Sequence, residues 1–277
     1  MRKFAVTVVS PPGYIHSAAF HEVAESIHYG LLSLGYDSVL TTEGRLPGRQ
    51  HIVLGSNLLP AYPLPLESDA ILYNLEQVDP GSAWFRQELV TLLRKYRVWD
   101  YSKTNAVALG ALGVKVERVV PIGYVKELTR IGFADQRDID VLFVGSMNPR
   151  RQLIIHRLRA AGLQVVAVFG VYGKERDSLI GRSKLLLNVH FYESKVLEIV
   201  RISYLLANRC VVLSETGSDP QEDASLAGGV AFAEYGELES NACELLENHE
   251  HRECISRRGF ELMSARLMSD YLRAALA

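Results

Sequence analysis

Short apolar runs alternate along this chain with segments whose apolar residues recur at helical spacing, and this rhythm restricts the fold more than any single motif. The alternation is typical of parallel strands joined by crossover helices. In the first half, the predicted strands are 4–10, 38–42, 51–55, 70–75, 98–101 and 116–122, and the predicted helices are 17–34, 84–96 and 103–112. The first half therefore predicts an α/β domain.

The rhythm lapses between residues 125 and 138 and then begins again, which predicts an interdomain linker. In the second half, the predicted strands are 139–144, 164–169, 184–190, 210–214 and 229–233, and the predicted helices are 150–161, 174–180 and 195–207. A helical tail follows from residue 237. We predict two Rossmann-like parallel-sheet domains that face a cleft: residues 1–124, the linker 125–138, and residues 139–277 with the tail.

Composition and charge exclude several classes of protein. Hydrophobic residues make up 48% of the chain and charged residues 22%, which excludes disordered and fibrous chains. The net charge of −2 gives no overall attraction to nucleic acid or anionic membranes. Three cysteines form no disulfide framework, and no apolar run has the length of a signal-peptide core or a membrane span. We therefore expect a cytoplasmic protein.

Three candidate catalytic residues follow strands of the first half. Ligands of open parallel sheets bind at the carboxyl ends of the strands, where helix N-termini present free N–H groups. His16 stands beside a predicted helix start at Ser17, where the helix dipole favours a neutral imidazole that can act as a general base. Glu76 and Asp100 follow two further strands and could orient it. The alternative reading is a loop histidine bonded to the backbone.

The second half opens with a strand that leads into an arginine-rich helix start. Gly145 and Ser146 allow a phosphate to approach the backbone, and Asn148 is a suitable helix cap. Arg150 and Arg151 project from the first helical turn and offer guanidinium forks to phosphate oxygens. This segment predicts a diphosphate-binding site, and a capped helix with solvated arginines is the alternative.

Two more polar groups follow strands of the second half. His190 ends one predicted strand, and Glu198 and Arg201 are three residues apart on one helix face, where they bind a ribose and a phosphate or pair with each other. A loop with small residues then offers backbone N–H groups to an anion or to sugar hydroxyls. The residues of this loop that we assign to donor binding are Glu215, Thr216 and Gly217.

Other signals are absent or misplaced. Asp138 and Asp140 have D-x-D spacing but precede their strand, at the wrong end of the sheet, so we predict no metal ion. No nucleophile elbow, P-loop or dinucleotide-binding glycine motif occurs in the sequence. Hydrolase, P-loop NTPase and dehydrogenase functions are therefore disfavoured.

Residues 140–151, the run Asn188-Val-His190 and residues 198–215 resemble the donor-binding domain of GT-B fold glycosyltransferases. Within this class, the sequence resembles bacterial glycosyltransferase-like proteins of the spore-maturation type. The resemblance extends over roughly residues 1–235 and is strongest from 139 to 215. It implies that a nucleotide sugar binds the second domain, that the acceptor binds the first, and that transfer occurs in the cleft without an obligatory metal.

The resemblance also assigns particular positions. Gly145 and Ser146 match the glycine loop of the family, and Arg150 or Arg151 matches its diphosphate-binding basic residue. Residues 12–16 resemble the loop where inverting members place a catalytic histidine. Retaining members carry two glutamates separated by seven residues, and Lys195 and Ser203 stand at those positions here. Glu198, one turn away, is a potential substitute for the ribose-binding acid.

These observations predict a glycosyltransferase that moves a sugar from a nucleoside diphosphate to an acceptor hydroxyl. The nucleotide sugar is a co-substrate, and no cofactor is expected. The acceptor is open among a glycan, a lipid-linked sugar, a protein and a small molecule. A catalytically silent nucleotide-, glycan- or protein-binding module with the same fold is the main alternative, and a nucleotide-sugar epimerase is a third.

Overall fold

The computed structural model describes residues 2–79, 81–82 and 85–277. The chain forms two compact units, of which unit 1 comprises residues 1–125 and 266–277 and unit 2 comprises residues 126–265. Each unit contains one fully parallel sheet, as the alternation of strands and helices predicts. The predicted fold class, two parallel-sheet α/β domains with a helical C-terminus, is confirmed.

The described part of unit 1 contains a six-stranded sheet in the order β2-β1-β3-β4-β5-β6. Its strands are β1 (Lys3–Val8), β2 (Asp37–Thr41), β3 (Gln50–Leu54), β4 (Ile71–Asn74), β5 (Arg97–Asp100) and β6 (Val116–Val119). Its helices are α1 (His21–Ser33), α2 (Gln87–Leu93), α3 (Lys103–Ala111) and α10 (Met268–Leu276). Apolar side chains bury the central strands completely, and Tyr73 and Trp99 meet edge to face with ring centroids 6.3 Å apart. This core fixes the ends of β4 and β5, where Asn74 lies opposite Asp100.

The described part of unit 2 contains a five-stranded sheet in the order β11-β10-β9-β7-β8. Its strands are β7 (Ile139–Val144), β8 (Val165–Val168), β9 (Ser183–Asn188), β10 (Val212–Glu215) and β11 (Ala231–Ala233). Its helices are α4 (Pro149–Ala160), α5 (Gly173–Gly181), α6 (Ile199–Ala207), α7 (Pro220–Ser225), α8 (Leu238–Glu247) and α9 (His249–Ser264). Apolar residues of β7, β9 and β10 pack with α4, α8 and α9 in one core.

Several predicted elements have different limits in the structure. The predicted helix 17–34 is a 3-10 helix at Ile15–Phe20 followed by α1. The predicted helix 84–96 is shorter as α2, and Trp84 lies outside the described residues. The predicted helix 195–207 begins only at Ile199, because residues 189–198 form a loop in which Lys195 has a φ of 45°. Helix α7 was not predicted, since its six residues are too few to show a periodicity.

The two units also divide the chain differently from the predicted 1–124, 125–138 and 139–277. Residues 126–138 belong to unit 2, and the last helix, α10, belongs to unit 1. Helix α10 packs on α1 at Gly30, where a Cβ atom would lie 2.8 Å from Leu272 Cδ1. The Tyr124 N–H donates to the Arg266 carbonyl at 2.7 Å and holds the returning chain. Helical periodicity predicts that the tail is helical, but not on which surface it packs.

Two further expectations concern disulfide bonds and membrane-spanning helices. Cys210, Cys243 and Cys254 are all free, and burial raises the pKa of the Cys210 thiol to about 12. No helix in the described ranges combines the length and the apolar character needed to cross a membrane.

Candidate functional site

The carboxyl end of β9 is the centre of a polar cluster in unit 2. Residues 188–191 each bind one side chain that comes from α4, from α6 or from the loop before α4. These pairs are Asn188 with Arg201 (3.4 Å), the Val189 carbonyl with Arg151 (2.8 Å), the His190 carbonyl with Arg150 (3.2 Å) and the Phe191 carbonyl with Asn148 (3.1 Å). Four consecutive residues thus hold four of the predicted donor-binding side chains, those of Asn148, Arg150, Arg151 and Arg201.

The first group of charges in this cluster is a triad of Arg150, Glu215 and Lys195. Glu215 is fully buried at the end of β10, and both terminal nitrogens of Arg150 donate to its carboxylate. Lys195 Nζ lies 3.0 Å from Glu215 Oε1. Burial pushes the pKa of Glu215 upward, but the hydrogen bonds from Arg150 and Lys195 outweigh it and leave the pKa below its usual value. Glu215 is therefore a carboxylate that holds two cations in place.

The second group is a triad of Arg151, Glu198 and Arg201. Arg151 Nη2 lies 2.8 Å from Glu198 Oε1, and Arg201 Nη2 lies 3.0 Å from Glu198 Oε2. Glu198 stands at the start of α6 and is nearly buried. Burial lowers the pKa of Arg151 to about 10, so this arginine is still protonated at neutral pH.

A phosphate-binding arginine is expected to face solvent, but Arg151 does not. Its side chain is only 2% exposed, and its guanidinium lies about 5 Å from the rings of Phe143 and Phe191. Besides Glu198, it donates to the carbonyl of Ser146 at 2.9 Å. Each of the three guanidinium nitrogens of Arg151 thus donates to a protein partner, and the side chain holds the loop after β7 against the end of β9.

The loop after β7 has the helix cap and the small residue that the sequence indicates. Asn148 Oδ1 accepts the Arg151 N–H at 2.9 Å and caps α4. A Cβ atom on Gly145 would lie 3.1 Å from Arg201 Nη2 and 3.5 Å from Arg151 Nη1. Glycine at position 145 therefore leaves room for the two guanidinium groups.

The two triads together carry a surplus of positive charge. They contain four cations and two carboxylates, which leaves two positive charges in excess. Arg150 and Arg201 occupy the first turns of α4 and α6, the helix ends where the macrodipole disfavours cations and favours anions. Arg150, Arg201 and Lys195 are each about one-third exposed (31%, 31% and 34%) and can reach a ligand. The arrangement suits a ligand with at least two negative charges.

His190 lies in the middle of this cluster. Its backbone N–H donates to Glu215 Oε2 at 3.2 Å, and its side chain is 0% exposed. No described residue makes a hydrogen bond to either ring nitrogen. Burial lowers the pKa of the imidazole, so His190 is neutral at pH 7.

The loop after β10 does not offer its backbone to a ligand as predicted. The Thr216 N–H donates to the Ala233 carbonyl at 3.0 Å, and the Gly217 N–H donates to Asp223 Oδ2 at 2.7 Å. The Thr216 hydroxyl donates to Glu234 Oε1 at 2.8 Å. Because all three donors have protein partners, an anion-wrapping role for residues 216 and 217 finds no support in this geometry.

Two members of the cluster were missed by the sequence analysis. Lys195 departs from the glutamate pattern of the resembled class, and a basic residue in the loop after a strand is the signal that marks it. Tyr235 donates its hydroxyl to the Arg150 carbonyl at 2.7 Å, and its ring centroid lies 4.0 Å from the Arg150 guanidinium carbon. No local sequence pattern marks Tyr235, since it comes from a distant 3-10 helix.

The carboxyl edge of the sheet in unit 1 brings Glu76 and Asp100 together through asparagines. Asn74 Nδ2 donates to Asp100 Oδ2 at 2.7 Å and to the Glu76 carbonyl at 2.9 Å. Asn105 Nδ2 donates to the same carbonyl at 3.0 Å. Burial raises the pKa of the Glu76 carboxyl to about 7. It also raises that of Asp100 to about 7, against the hydrogen bonds that Asp100 accepts from Asn74, Ser102 and Asn105.

His16 has a different local setting from the one predicted. It lies within the 3-10 helix Ile15–Phe20, and Ser17 is not a helix cap, because its hydroxyl donates to the Val9 carbonyl at 2.8 Å. The rings of Tyr14 and His16 are in edge contact with centroids 5.3 Å apart. Burial, and then the charge of Glu76, raise the pKa of Tyr14, which relates this loop to the end of β4.

The described acidic, histidine and cysteine side chains do not form a metal site. In residues 2–79, 81–82 and 85–277, no three His, Cys, Asp or Glu side chains converge as a set of metal ligands. Asp138 pairs with Arg182, and Asp140 lies 2.7 Å from Lys184 Nζ, at the amino end of β7.

Comparison with known sequences gives distant relatives. No family model matches the chain. Two uncharacterized proteins of Acanthamoeba polyphaga mimivirus are 32% identical over 126 residues and 27% identical over 187 residues. These matches span 44% and 64% of this chain, but only 14% and 59% of the viral proteins. The relatives are viral, so they give no support to the predicted bacterial origin.

Solved structures give the architecture. HepE of Anabaena, solved with UDP and glucose, superimposes with a TM-score of 0.62 at 12% identity, over 100% of this chain and 99% of that one. AviGT4, a glycosyltransferase of avilamycin A biosynthesis, gives 0.58 at 14% identity, over 99% and 97%. TarM gives 0.58 at 11% identity, over 92% of this chain and 57% of TarM. The fold is that of the GT-B glycosyltransferases. The finer resemblance to the spore-maturation type stays a prediction.

Proposed function

We propose that this chain is a glycosyltransferase that uses a nucleoside diphosphate sugar and transfers the sugar to an acceptor hydroxyl. The observation that carries the proposal is the excess of two positive charges in the triads, displayed on Arg150, Arg201 and Lys195. The diphosphate of a nucleotide sugar carries two negative charges and matches this excess. The GT-B fold adds weight, since HepE was solved with UDP, with UDP and glucose, and with UDP-glucose.

The cations would act on the leaving group. When the bond between the anomeric carbon and the phosphate oxygen breaks, the departing diphosphate gains a negative charge. Fixed positive groups beside that oxygen stabilise the transition state more than the ground state, which is the condition for catalysis. Glu198 and Glu215 keep Arg150, Lys195 and Arg201 in place before the donor arrives, so little reorganisation is needed.

We assign removal of the proton from the acceptor hydroxyl to Glu76, with His16 as the alternative base. A general base is most effective when its pKa is near the working pH, and burial brings the pKa of Glu76 to about 7. Asp100 is fully buried, so we assign it to holding Asn74 and Asn105 rather than to contact with substrate. The acceptor is proposed only as a hydroxyl compound, and transfer is proposed to need no metal.

Donor binding is the first test of this proposal. Thermal shifts with UDP-glucose, GDP-mannose and dTDP-glucose would identify a ligand, because binding to the native state raises the melting temperature. Replacing Arg150 and Arg201 together by alanine should weaken the binding of that ligand by about 100-fold, if each charge-assisted contact contributes about 1.5 kcal/mol. Arg159→Ala, at the exposed C-terminal end of α4, is the matched control. Unchanged affinity in the double variant would refute the assignment.

A catalytically silent binding module is the second candidate. Lys195 and Ser203 occupy the positions where retaining members of the resembled class carry glutamates, and Lys195 is committed to an ion pair with Glu215. Incubation of the purified protein with its donor, followed by analysis of free sugar and glycosylated products, separates the two candidates. Tight binding without any release or transfer of sugar favours the silent module.

A further inference from the structure

His190 is an unusual polar group of unit 2. Its side chain is 0% exposed, yet neither ring nitrogen has a hydrogen-bond partner among the described residues. Its backbone is fixed on both sides, since the N–H donates to Glu215 and the carbonyl accepts from Arg150. A buried imidazole without partners is destabilising, and a phenylalanine or leucine would fill the space at a lower cost. The histidine therefore calls for a role in addition to packing.

Charged groups from five segments of the chain interact electrostatically with the ring. Glu198 at the start of α6 and Glu215 at the end of β10 favour protonation, while Lys195 of the intervening loop and Arg150 of α4 oppose it. Asp223 of α7 also interacts electrostatically with His190. The opposing cations are two of the three exposed groups to which we assign the diphosphate. The ring is thus close enough to that site to respond to a change in its charge.

A bound diphosphate would change the balance around the ring. Its negative charges would compensate Arg150 and Lys195, the two cations that oppose protonation, while Glu198 and Glu215 would continue to favour it. We propose that His190 takes up a proton from solvent when the diphosphate of a nucleotide sugar binds, and returns it when the diphosphate leaves. This inference rests on the proposed function. His190 would act through its electrostatic interaction with Arg150 and Lys195, and it would not contact the substrate.

The proposal has a quantitative consequence for binding. Burial lowers the pKa of His190 in the empty site, so the ring starts neutral at pH 7. If binding raises this pKa by about 1, roughly half a proton is taken up per ligand at the pH midway between the two values. The affinity is then about tenfold higher at a pH below both pKa values than at a pH above both. After the bond between the sugar and the diphosphate breaks, the additional negative charge of the diphosphate would favour the protonated form of His190 further.

Calorimetry on the 277-residue chain tests the proposal. UDP-glucose and GDP-mannose are suitable probes because, unlike UDP, they lack a terminal phosphate that titrates near neutral pH. Binding enthalpies measured in buffers of different ionisation enthalpy, between pH 5.5 and 8.5, give the number of protons exchanged. We expect uptake of up to about half a proton in the wild type. We expect none in His190→Gln, and wild-type uptake in His156→Gln, an exposed histidine of α4.

The outcomes separate this inference from the function on which it rests. If neither probe nor any other nucleotide sugar binds, the proposed function fails and this inference fails with it. If a probe binds without proton exchange, or if uptake persists in His190→Gln, the function stands and the role of His190 is wrong. Should His190→Gln not fold, NMR titration of the wild-type His190 ring with and without UDP-glucose decides instead. A ring pKa that does not rise on binding overturns the proposal.

Discussion

The two sheets end in chemically different edges, although both are parallel and both carry polar residues after their central strands. In unit 2 the edge carries arginines and carboxylates in ion pairs, and the pKa of Glu215 lies below its usual value. In unit 1 the edge carries Glu76 and Asp100, both with a pKa of about 7, joined by asparagines. Permanent charges suit the binding of a charged group, and carboxyls that titrate near neutral pH suit proton transfer. The same architecture thus supports either task, depending on the residues that end its strands.

The largest effect is expected where the charged edge is most deeply buried. Arg151→Met leaves the nearly buried Glu198 with Arg201 alone and removes the bond to the Ser146 carbonyl. The loss of one partner from a buried pair costs about 3–5 kcal/mol of unfolding free energy. Urea denaturation followed by circular dichroism measures it, with Arg159→Met as the exposed control. A loss below about 1 kcal/mol would mean that the second triad is not a structural anchor.

A substitution in the asparagine-linked edge of unit 1 should destabilise the protein less strongly, and it should leave donor binding unchanged. In Asp100→Asn, only one of the two terminal side-chain atoms can accept hydrogen bonds. One donor therefore loses its partner, which lowers the unfolding free energy by about 1.5–3 kcal/mol. Trp99 is buried beside this edge, and the tryptophan fluorescence of the protein in urea reports the loss. Asp69→Asn, at an exposed position, should leave the unfolding free energy unchanged. If Asp100→Asn also weakened nucleotide-sugar affinity more than twofold, the division of tasks between the edges would be wrong.

Titration sharpens the comparison further. The pKa of Glu76 is raised on folding, so the folded state binds more protons and this residue's contribution to stability is lost as pH rises through about 7. His28 and His51 have lowered pKa values and act in the opposite direction, with stability lost as pH falls below about 6.5. The wild type should therefore lose stability relative to Glu76→Gln between pH 5 and 8, as measured by tryptophan fluorescence in urea. A constant difference between the two proteins would contradict the raised pKa.

The smallest effect is expected in the loop after β10. Thr216→Val removes a hydroxyl that donates to Glu234, while the backbone bond to Ala233 stays. Surface changes of this kind alter stability by less than about 0.5 kcal/mol. Donor affinity, measured by calorimetry, should change by less than about twofold. A tenfold loss of affinity would restore this loop to the binding site.

The sequence predicts the elements well because each depends on local pattern. Strand β7 has its predicted limits, and Asn148 is the cap of α4 as its residue type and position suggest. Within the site, adjacency in sequence is a poor guide. Arg150 and Arg151 are neighbours, but they are rotated by roughly 100° around the helix, so one is one-third exposed and the other is buried.

The remaining errors concern contacts between residues that are far apart in the chain. The N–H of Gly217 bonds to Asp223 of an unpredicted helix, and Lys195 finds its partner in Glu215, twenty residues later. The packing of α10 on α1 depends on the absence of a side chain at Gly30. Such partners are decided by tertiary packing, which periodicity and residue spacing do not contain.

The return of α10 to unit 1 makes the two units unequal as pieces of polypeptide. Unit 1 needs both 1–125 and 266–277, so a fragment that stops at 125 would lack the helix that covers Gly30. Unit 2 is a single uninterrupted stretch, 126–265, and it contains all six members of the two triads together with His190. One excision therefore carries the entire cationic cluster into a new protein, whereas unit 1 can be isolated whole only by splicing its two ends together.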